Sequence, residues 1–308
     1  MVIFENVSKR YGVHKALDRV DFSVKKGQVL GLLGQNGAGK TTAMNIMTGC
    51  LAATQGRVLI GGHDVLLEPV QAKRLLGYLP EAAPLYDEMT VEAYLRFACD
   101  LKAVEKKQIR DHVAQVAEKT GLQDVFRRKI GNLSKGYRQR VGVAQALCGA
   151  PEVIVLDEPT VGLDPRQASE MRQLILSLKG EHTVIFSSHI LNEVQSVSDR
   201  ILILHHGKVL CDSQLDALKH KENKLRALIA GGEQTLLPAL RTLQKVSRVE
   251  VVRGGEPGQT EVLLTVAEEG AERELFTLLS GLQAPLLRLQ PQEDSLEDIF
   301  LQTTKEGK

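Results

Sequence analysis

Short apolar segments alternate with longer amphipathic segments over the first two-thirds of the chain. The segments GQVLGLLG (27–34) and EVIVLDEP (152–159) are largely apolar, which is typical of strands buried on both faces of a parallel sheet. TVIFSSH (183–189) and RILILHHG (200–207) predict two further strands. Because these strands alternate with helical segments, we expect an α/β fold.

Two other patterns flank and interrupt this sheet. The first residues, VIFENVSKRY and ALDRVDFSVKKG, predict antiparallel strands joined by a turn. Between Thr90 and Ala150, apolar residues recur near positions i, i+3 and i+4, which predicts helices. Since this block lies between predicted strands, we expect a helical subdomain at about residues 90–150.

A smaller unit follows the sheet. The composition changes near residue 220, at KHKENK, and the remaining pattern is β-α-β-β-α-β, the order of the ferredoxin-like split motif. We therefore expect one domain over residues 1–219 and an accessory α+β domain over residues 220–308. The apolar positions behind this prediction are Leu225, Ala227 and Ile229 in the first strand, Leu236, Leu240 and Leu243 in the first helix, Leu275, Leu278 and Leu282 in the second, and Leu296, Ile299 and Phe300 in a last amphipathic helix.

Composition and charge narrow the function classes. The 308 residues are 43% hydrophobic and carry a formal net charge of +1, so the chain has no overall attraction to nucleic acid or anionic lipid. No apolar run approaches the roughly 20 residues of a membrane-spanning helix, and the N-terminus has no signal-peptide pattern. A role at a membrane would therefore need another chain that crosses it. The cysteines Cys50, Cys99, Cys148 and Cys211 form no CxxC pair, which argues against a zinc site and suits a reducing compartment.

A phosphate-binding loop is predicted at GQNGAGKT (34–41), between a predicted strand and a predicted helix. Its glycines let backbone N–H groups approach phosphate oxygens, and the helix that follows adds its N-terminal dipole. We expect Lys40 to reach the β- and γ-phosphates and Thr41 to bind Mg²⁺. A plain glycine turn is the alternative, which the strand–loop–helix context disfavours. The expected nucleotide-binding residues here are Gly34, Gln35, Asn36, Gly37, Ala38, Gly39, Lys40, Thr41 and Thr42.

Two carboxylates at the end of the strand VIVLDEP complete a nucleotide site. Asp157 ends an apolar strand, where a carboxylate is costly unless it faces a cation, and Mg²⁺ is the natural partner. Glu158 comes next and is placed to polarise the water that attacks the γ-phosphate. The alternative is that both residues only cap a helix. The phosphate loop and these carboxylates together predict a nucleoside triphosphatase that uses Mg²⁺.

With these motifs the chain resembles the ATP-binding subunit of an ABC transporter over about its first two-thirds. LSKGY (133–137) resembles the family signature LSGGQ, VGLD (161–164) matches the D-loop, and SSH ends on His189, the switch histidine. Tyr11, in SKRYG, corresponds to the aromatic residue that stacks on adenine. The resemblance implies a P-loop NTPase core with a RecA-like, mostly parallel sheet, an antiparallel β subdomain and a helical subdomain.

The resemblance also implies a head-to-tail dimer with two ATP molecules at its interface. Each ATP would rest on one copy's phosphate loop and be covered by the other copy's signature loop, through Ser134, Gly136 and the neighbouring Tyr137. Asp164 would join the two sites, and His189 would hold the attacking water together with Glu158, the catalytic base.

Two motifs depart from the family pattern. Lys135 and Tyr137 replace Gly and Gln of the usual signature, which adds a cation near the expected γ-phosphate. Glu81 stands where the family usually has the Q-loop glutamine, and its carboxylate would still meet Mg²⁺ or a water bound to it. The alternative for Glu81 is an ordinary solvated side chain.

The LPE sequence ending at Glu81 and SLEDIFLQ near the C-terminus are most similar to the ABC-2 exporter branch, which includes drug, polysaccharide, gliding-motility and copper-processing systems. This resemblance implies an ATPase at the cytoplasmic face of the cell membrane that powers a membrane permease, with Leu85 and Tyr86 in the docking surface. The alternatives are the ATPase of an importer, an ABC protein that acts on ribosomes or nucleic acid, and a regulatory protein whose C-terminal unit is the working part.

Overall fold

The computed structural model describes residues 1–215, 223–252, 258–268 and 270–292. The chain divides into two compact units, Met1–Leu215 and Asp216–Lys308. The boundary predicted between residues 219 and 220 falls within 216–222, outside the described residues.

The first unit contains two sheets and seven α-helices within its described residues. Its strands are β1 (Val2–Tyr11), β2 (His14–Val24), β3 (Val29–Leu33), β4 (Gln55–Ile60), β5 (His63–Asp64), β6 (Leu76–Leu79), β7 (Val153–Leu156), β8 (Thr183–Ser188), β9 (Arg200–His205) and β10 (Lys208–Gln214). Its helices are α1 (Lys40–Met47), α2 (Pro69–Arg74), α3 (Val91–Leu101), α4 (Lys106–Lys119), α5 (Lys135–Leu147), α6 (Pro165–Ser177) and α7 (Leu191–Val197).

The central sheet has the strand order β10-β9-β3-β8-β7-β6, and all neighbours are parallel except β10, which is antiparallel to β9. The four strands predicted from apolar runs are β3, β7, β8 and β9. Every residue of β3, β7 and β8 is buried, as expected for strands covered on both faces. The carboxyl ends of the parallel strands share one edge, and the phosphate loop and the two carboxylates follow β3 and β7 at that edge.

The second sheet is antiparallel, with the order β2-β1-β4-β5. The first two strands are the predicted N-terminal hairpin. Phe4 and Phe22 stack across it with ring centroids 4.3 Å apart, within the same buried cluster as Leu30 and Leu32 of the central sheet. The two sheets therefore enclose one core, which fixes the hairpin next to the phosphate loop.

The helical block lies between β6 and β7, as predicted, and contains α3, α4 and α5 with two short 3₁₀ turns. The Thr90 hydroxyl caps α3 by accepting a bond from the Ala93 N–H at 3.2 Å. Strand β6 and helix α5 touch so closely that a Cβ at Gly77 would lie 1.9 Å from the carbonyl oxygen of Ala146. Only glycine permits this approach, which anchors α5 on the central sheet.

The second unit has the predicted β-α-β-β-α-β order. Its elements are β11 (Asn223–Ala230), α8 (Glu233–Leu240), β12 (Val246–Val251), β13 (Gln259–Val266), α9 (Ala271–Gly281) and β14 (Leu286–Gln292). The sheet is antiparallel, with the order β12-β13-β11-β14.

The predicted inner face of α9 was wrong in part. Leu275 is buried, but Leu278 is only partly buried and Leu282 is 40% exposed, whereas Ala271 and Leu279 are buried. Leu282 is the C-cap residue that follows Gly281, and its side chain remains partly exposed at the end of the helix. The predicted helix with Leu296, Ile299 and Phe300 lies outside the described residues.

Candidate functional site

The phosphate loop joins β3 to α1, and its backbone requires glycine at two points. Gly37 and Gly39 have φ values of 82° and 108°, and Gly39 directly precedes α1. A Cβ at Gly34 would lie 2.6 Å from the carbonyl oxygen of Leu204 on β9. The loop therefore lies tightly against the sheet and leads directly into the N-terminus of α1, the end of a helix that favours an anion.

Lys40 is the first residue of α1 and is only 6% exposed. Its Nζ donates to the carbonyl oxygen of Gly34 at 2.7 Å and lies 3.3 Å from Oε1 of Glu158. A nearly buried ammonium needs anionic or carbonyl partners. The Gly34 carbonyl oxygen and the Glu158 carboxylate are these partners, and a bound phosphate group could supplement or replace them.

Asp157 follows β7 and has no solvent exposure. Its Oδ1 accepts a bond from the Ser187 hydroxyl at 2.6 Å, while Oδ2 is buried with no hydrogen-bond partner among the described residues. Burial raises the pKa of this carboxyl, and hydrogen bonds from Ser187 and Thr41 partly oppose the rise. A buried carboxylate oxygen without a partner, beside the Thr41 hydroxyl, fits a hydrated Mg²⁺ ion.

The described parts of the chain contain no group of three or more His, Cys, Asp or Glu residues that could hold a metal by themselves. Mg²⁺ characteristically uses one or two protein ligands together with substrate phosphates and water. The donor set of Asp157 and Thr41 fits this pattern, in which a nucleotide and water would supply the remaining ligands.

Glu158 adopts a left-handed backbone conformation, with φ of 48°, which is uncommon for a residue with a side chain. Its N–H donates to the Ser187 hydroxyl at 2.8 Å. Its Oε2 lies 2.9 Å from Nδ1 of His189, which follows β8. The unusual backbone thus directs the carboxylate between Lys40 and His189, at the carboxyl edge of the sheet.

These groups meet in one cavity of about 520 Å³. The predicted residues that line it are Tyr11, Gln35, Asn36, Gly37, Gly39, Lys40, Thr41, Thr42, Glu81, Glu158 and His189. Gly34, Ala38 and Asp157 lie outside this lining and support it from behind. The cavity thus has an aromatic end at Tyr11 and a charged end at Lys40 and Glu158.

Three residues of this cavity were not predicted: His14, Ala16 and Val161. His14 is brought there by the hairpin, in which it pairs directly with Tyr11. The turn between the predicted strands was the available signal, since the residues that flank a tight turn face each other.

The signature residues lie in a second cavity of about 380 Å³. Ser134 precedes α5, and Asp164 caps α6 by accepting a bond from the Gln167 N–H at 2.9 Å. The cavity is lined by Ser134, Gly136, Tyr137, Arg140, Asp164, Arg166, Gln167 and Glu170. None of these residues lines the phosphate-loop cavity, so the structure divides the predicted site residues into two sets.

Lys135 lies against the D-loop of its own chain. A Cβ at Gly162 would be 1.9 Å from the Lys135 Nζ, and the left-handed φ of 67° at Gly162 favours glycine as well. The sequence indicated a cation close to a γ-phosphate, whereas here the ammonium rests on the loop between Val161 and Asp164. This position links the signature helix to the D-loop.

Comparison with known proteins agrees with this geometry. The family model described as ABC transporter matches residues 17–161. The chain is 33% identical over 298 residues to the bacitracin transport ATP-binding protein BcrA of Bacillus licheniformis, which covers 96% of this chain and 94% of BcrA. It is 30% identical over 311 residues to the linearmycin resistance ATP-binding protein LnrL of Bacillus subtilis (strain 168), over 99% and 98% of the two chains.

Solved structures show the same fold over about 70% of the chain. The ATP-binding subunit of an ABC transporter is similar with a TM-score of 0.65 and 27% identity, over 72% of this chain and 92% of that one. A dimeric bacterial ABC transporter cassette, MJ0796, is similar with a TM-score of 0.64 and 26% identity, over 70% and 99%. With near full-length relatives at 30% identity or more, the chain belongs to the ABC transporter family, as one of its ATP-binding, ATP-hydrolysing subunits.

Proposed function

We propose that two copies of this chain form a head-to-tail dimer that hydrolyses ATP at its interface and drives export through an ABC-2-type membrane permease. The proposed dimer is supported by the separation of the phosphate-loop cavity from the signature cavity on one chain. Each cavity offers one side of a nucleotide site. The relatives named for bacitracin transport and linearmycin resistance support a role in moving compounds out of the cell.

The signature cavity is suited to an anion that another chain presents. Ser134 is exposed at the start of the 13-residue helix α5, where free N–H groups and the helix dipole favour negative charge. Arg140 and Arg166 also line this cavity, and Glu170 binds both, at 2.6 Å and 3.1 Å. Because this cavity has no phosphate loop of its own, a second copy supplies the complementary half.

Hydrolysis in this proposal relies on three side chains of the phosphate-loop cavity. Lys40 exchanges its contact with Glu158 for the phosphates of bound ATP, which frees the carboxylate. Glu158 then accepts a proton from the attacking water, and His189 holds that water and the carboxylate in line. Mg²⁺, held by Thr41 and Asp157 with Glu81 nearby, would supply charge neutralisation for the phosphates.

The remaining predicted residues take binding roles. Tyr11 stacks on adenine at the open end of the cavity, and the loop from Gly34 to Thr42 surrounds the phosphates. Ser134, Gly136 and Tyr137 cover the ATP of the other copy, and Asp164 lies at the boundary between the two sites.

Mixed dimers test the shared site. One chain carries Lys40→Ala and the other carries Ser134→Arg, so both lesions fall on the same ATP site and the second site stays intact. We expect this pair to keep about half of the nucleotide-binding capacity and measurable ATPase activity. The measurement is ATP turnover of dimers purified through two different affinity tags.

The matched control places both substitutions on one chain and pairs it with an unaltered chain. Each ATP site then carries one lesion, so we expect much lower turnover than in the first pair. Equal turnover in the two arrangements, or higher turnover in the control pair, would contradict the head-to-tail assignment, because residues that act within one chain would leave the unaltered chain of the control pair with an intact site.

An apolar groove on the first unit is the proposed docking surface for the permease. It has a volume of about 580 Å³ and includes Tyr86, Tyr94 and Phe97. The ring centroid of Tyr86 lies 5.9 Å from that of Tyr94 and 5.8 Å from that of Phe97. We propose that the chain attaches to the permease through this groove, at the cytoplasmic face of the cell membrane. The helices of the described residues include none with the length and hydropathy of a membrane span.

Phe97→Glu tests the groove. A charge at this apolar surface should abolish co-purification of the permease, while ATP binding by the free chain is unchanged because Phe97 lies outside the nucleotide cavity. Leu176→Glu is the matched control, since Leu176 is 40% exposed and Phe97 is 37% exposed, and Leu176 lies on α6 outside the groove. Equal loss of the permease in both variants would contradict the assignment.

A further inference from the structure

Lys9 lies over the ring of Tyr11, with its Nζ 5.3 Å from the ring centroid. The two residues are separated by one position on β1, so their side chains leave the strand on the same face. A lysine ammonium within about 6 Å of an aromatic centroid is attracted by the negative face of the ring. One face of the Tyr11 ring is thus occupied within the chain itself.

The Lys9 ammonium is also fixed from its other side. Its Nζ donates to the carbonyl oxygen of Ala52 at 2.8 Å. Ala52 lies in the loop that follows α1, the helix that begins with Lys40 at the phosphate loop. Lys9 therefore connects the aromatic end of the cavity with the element that carries its phosphate end.

Two backbone contacts hold the same loop against β1. The Thr54 N–H donates to the carbonyl oxygen of Ser8 at 2.8 Å, and the Arg10 N–H donates to the Thr54 hydroxyl at 3.1 Å. These contacts remain when the Lys9 side chain is changed. The contribution of the Lys9 ammonium can therefore be separated from the position of the strand.

Tyr11 is 51% exposed and lines the nucleotide cavity, whereas Lys9 is half-buried and lies outside the described lining of that cavity. From this arrangement we infer that Lys9 is a positioning residue for base binding: it holds the Tyr11 ring from behind and leaves the opposite face for adenine. A cation behind the ring also withdraws electron density from it, which favours stacking on an electron-rich base. The inference rests on the adenine-stacking role proposed for Tyr11.

Loss of the Lys9 ammonium should weaken only the binding of the adenine base. Loss of a partly exposed cation–π contact should weaken ATP binding about two- to fivefold. Catalytic turnover at saturating ATP should be unchanged, because the contact contributes equally to binding of the ground state and the transition state. Inorganic tripolyphosphate, which has no base, should bind Lys9→Met and the unaltered chain equally.

The experiment measures Kd for a non-hydrolysable ATP analogue and for tripolyphosphate on the full chain. Lys9→Met keeps the aliphatic length and removes the ammonium, and Lys9→Arg, which retains a cation for the ring, should restore most of the affinity. Arg10→Met is the matched control, because it removes an exposed charge one residue away without removing the backbone bond to Thr54. Tyr11→Ala and the double variant with Lys9→Met complete a cycle.

The outcomes distinguish a failure of the adenine-stacking role of Tyr11 from a failure of the positioning role of Lys9. If Tyr11→Ala leaves the affinity for the analogue unchanged, the proposed role of Tyr11 fails and the inference falls with it. If Tyr11→Ala weakens binding but Lys9→Met does not, only the inference about Lys9 fails. An effect of Lys9→Met that persists in the Tyr11→Ala background, or that also appears with tripolyphosphate, would show general charge attraction and overturn the inference.

Discussion

At the scale of single residues, Asp157 couples stability to function. Its carboxylate is fully buried, and one oxygen has no hydrogen-bond partner among the described residues. Burial raises the pKa because the charged form loses its hydration, while the hydrogen bonds from Ser187 and Thr41 favour the charge. In the absence of a cation, this arrangement weakens the folded protein.

Asp157→Asn should therefore increase the free energy of unfolding by about 1 kcal/mol near neutral pH without divalent ions, while it removes Mg²⁺-dependent turnover. The Asn side-chain carbonyl can still accept the bond from Ser187. Denaturant unfolding with and without Mg²⁺ measures the first effect. Asp164→Asn is the matched control, because Asp164 is exposed and Asn caps a helix equally well, so no gain is expected there.

The stability gained by Asp157→Asn should depend on pH, and the pKa shift of Asp157 determines the direction of that dependence. Since the pKa of Asp157 lies above its ordinary value of 3.8 in the folded protein, the unfolded chain loses this proton first as the pH rises. The advantage of Asp157→Asn should vanish below the ordinary pKa, grow above it, and become constant above the folded pKa. An advantage that stays constant down to acidic pH would exclude desolvation as its cause.

The sequence indicated most of the nucleotide cavity, because its chemistry follows two strands directly. The phosphate loop and Glu158 are local patterns, each readable within a few residues. His14 reaches the same cavity through the tight turn that pairs it with Tyr11, a local signal, whereas the place of Val161 in the lining depends on the conformation of the D-loop. The same limit applies to Lys135, whose contact with Gly162 joins residues far apart in the chain.

At the scale of elements, the burial of a strand determines whether its pattern of apolar residues predicts it. Strands β3, β7 and β8 are buried throughout and produce continuous apolar runs. Only two residues of β4 and none of β10 are buried, so their sequences lack such runs. The inner face of α9 was wrong at Leu282, which caps the C-terminal end of the helix and is 40% exposed there.

Gly77→Ala tests the contact between β6 and α5. The added Cβ would lie 1.9 Å from a backbone oxygen, which cannot move without shifting α5, so we expect a loss of about 1–3 kcal/mol in the free energy of unfolding. Gly281→Ala is the control, because a Cβ at this end of α9 meets nothing within 4 Å and no loss is expected. Denaturant unfolding of both variants measures the difference, and equal stability would contradict the close packing.

At the scale of the whole molecule, each unit has its own core. The second unit buries residues of both helices and of its sheet, among them Ile229, Leu240 and Leu275. The antiparallel sheet and the central sheet of the first unit share a separate cluster. Two independent cores predict two independently folding fragments.

Separate expression of residues 1–215 and 216–308 tests this prediction. The first fragment should bind the ATP analogue with the affinity of the full chain, because the nucleotide cavity is lined by its residues alone. The second should unfold cooperatively, with a stability of about 5 kcal/mol. Circular dichroism melts and calorimetric titration are the measurements, and a gradual, non-cooperative melt of the second fragment would contradict an independent core.

The division of the site into two cavities has a genetic consequence under the proposed dimer. A chain with a damaged Ser134 would fold, bind ATP and pair with an intact copy, and each mixed pair would contain an incomplete site. If one cycle of transport requires ATP at both sites of the dimer, each mixed pair is inactive in transport, and the loss in a cell that makes both forms would exceed the fraction of damaged chains. Lesions of the signature loop would therefore be dominant, whereas lesions that prevent folding, such as those in the core, would be recessive.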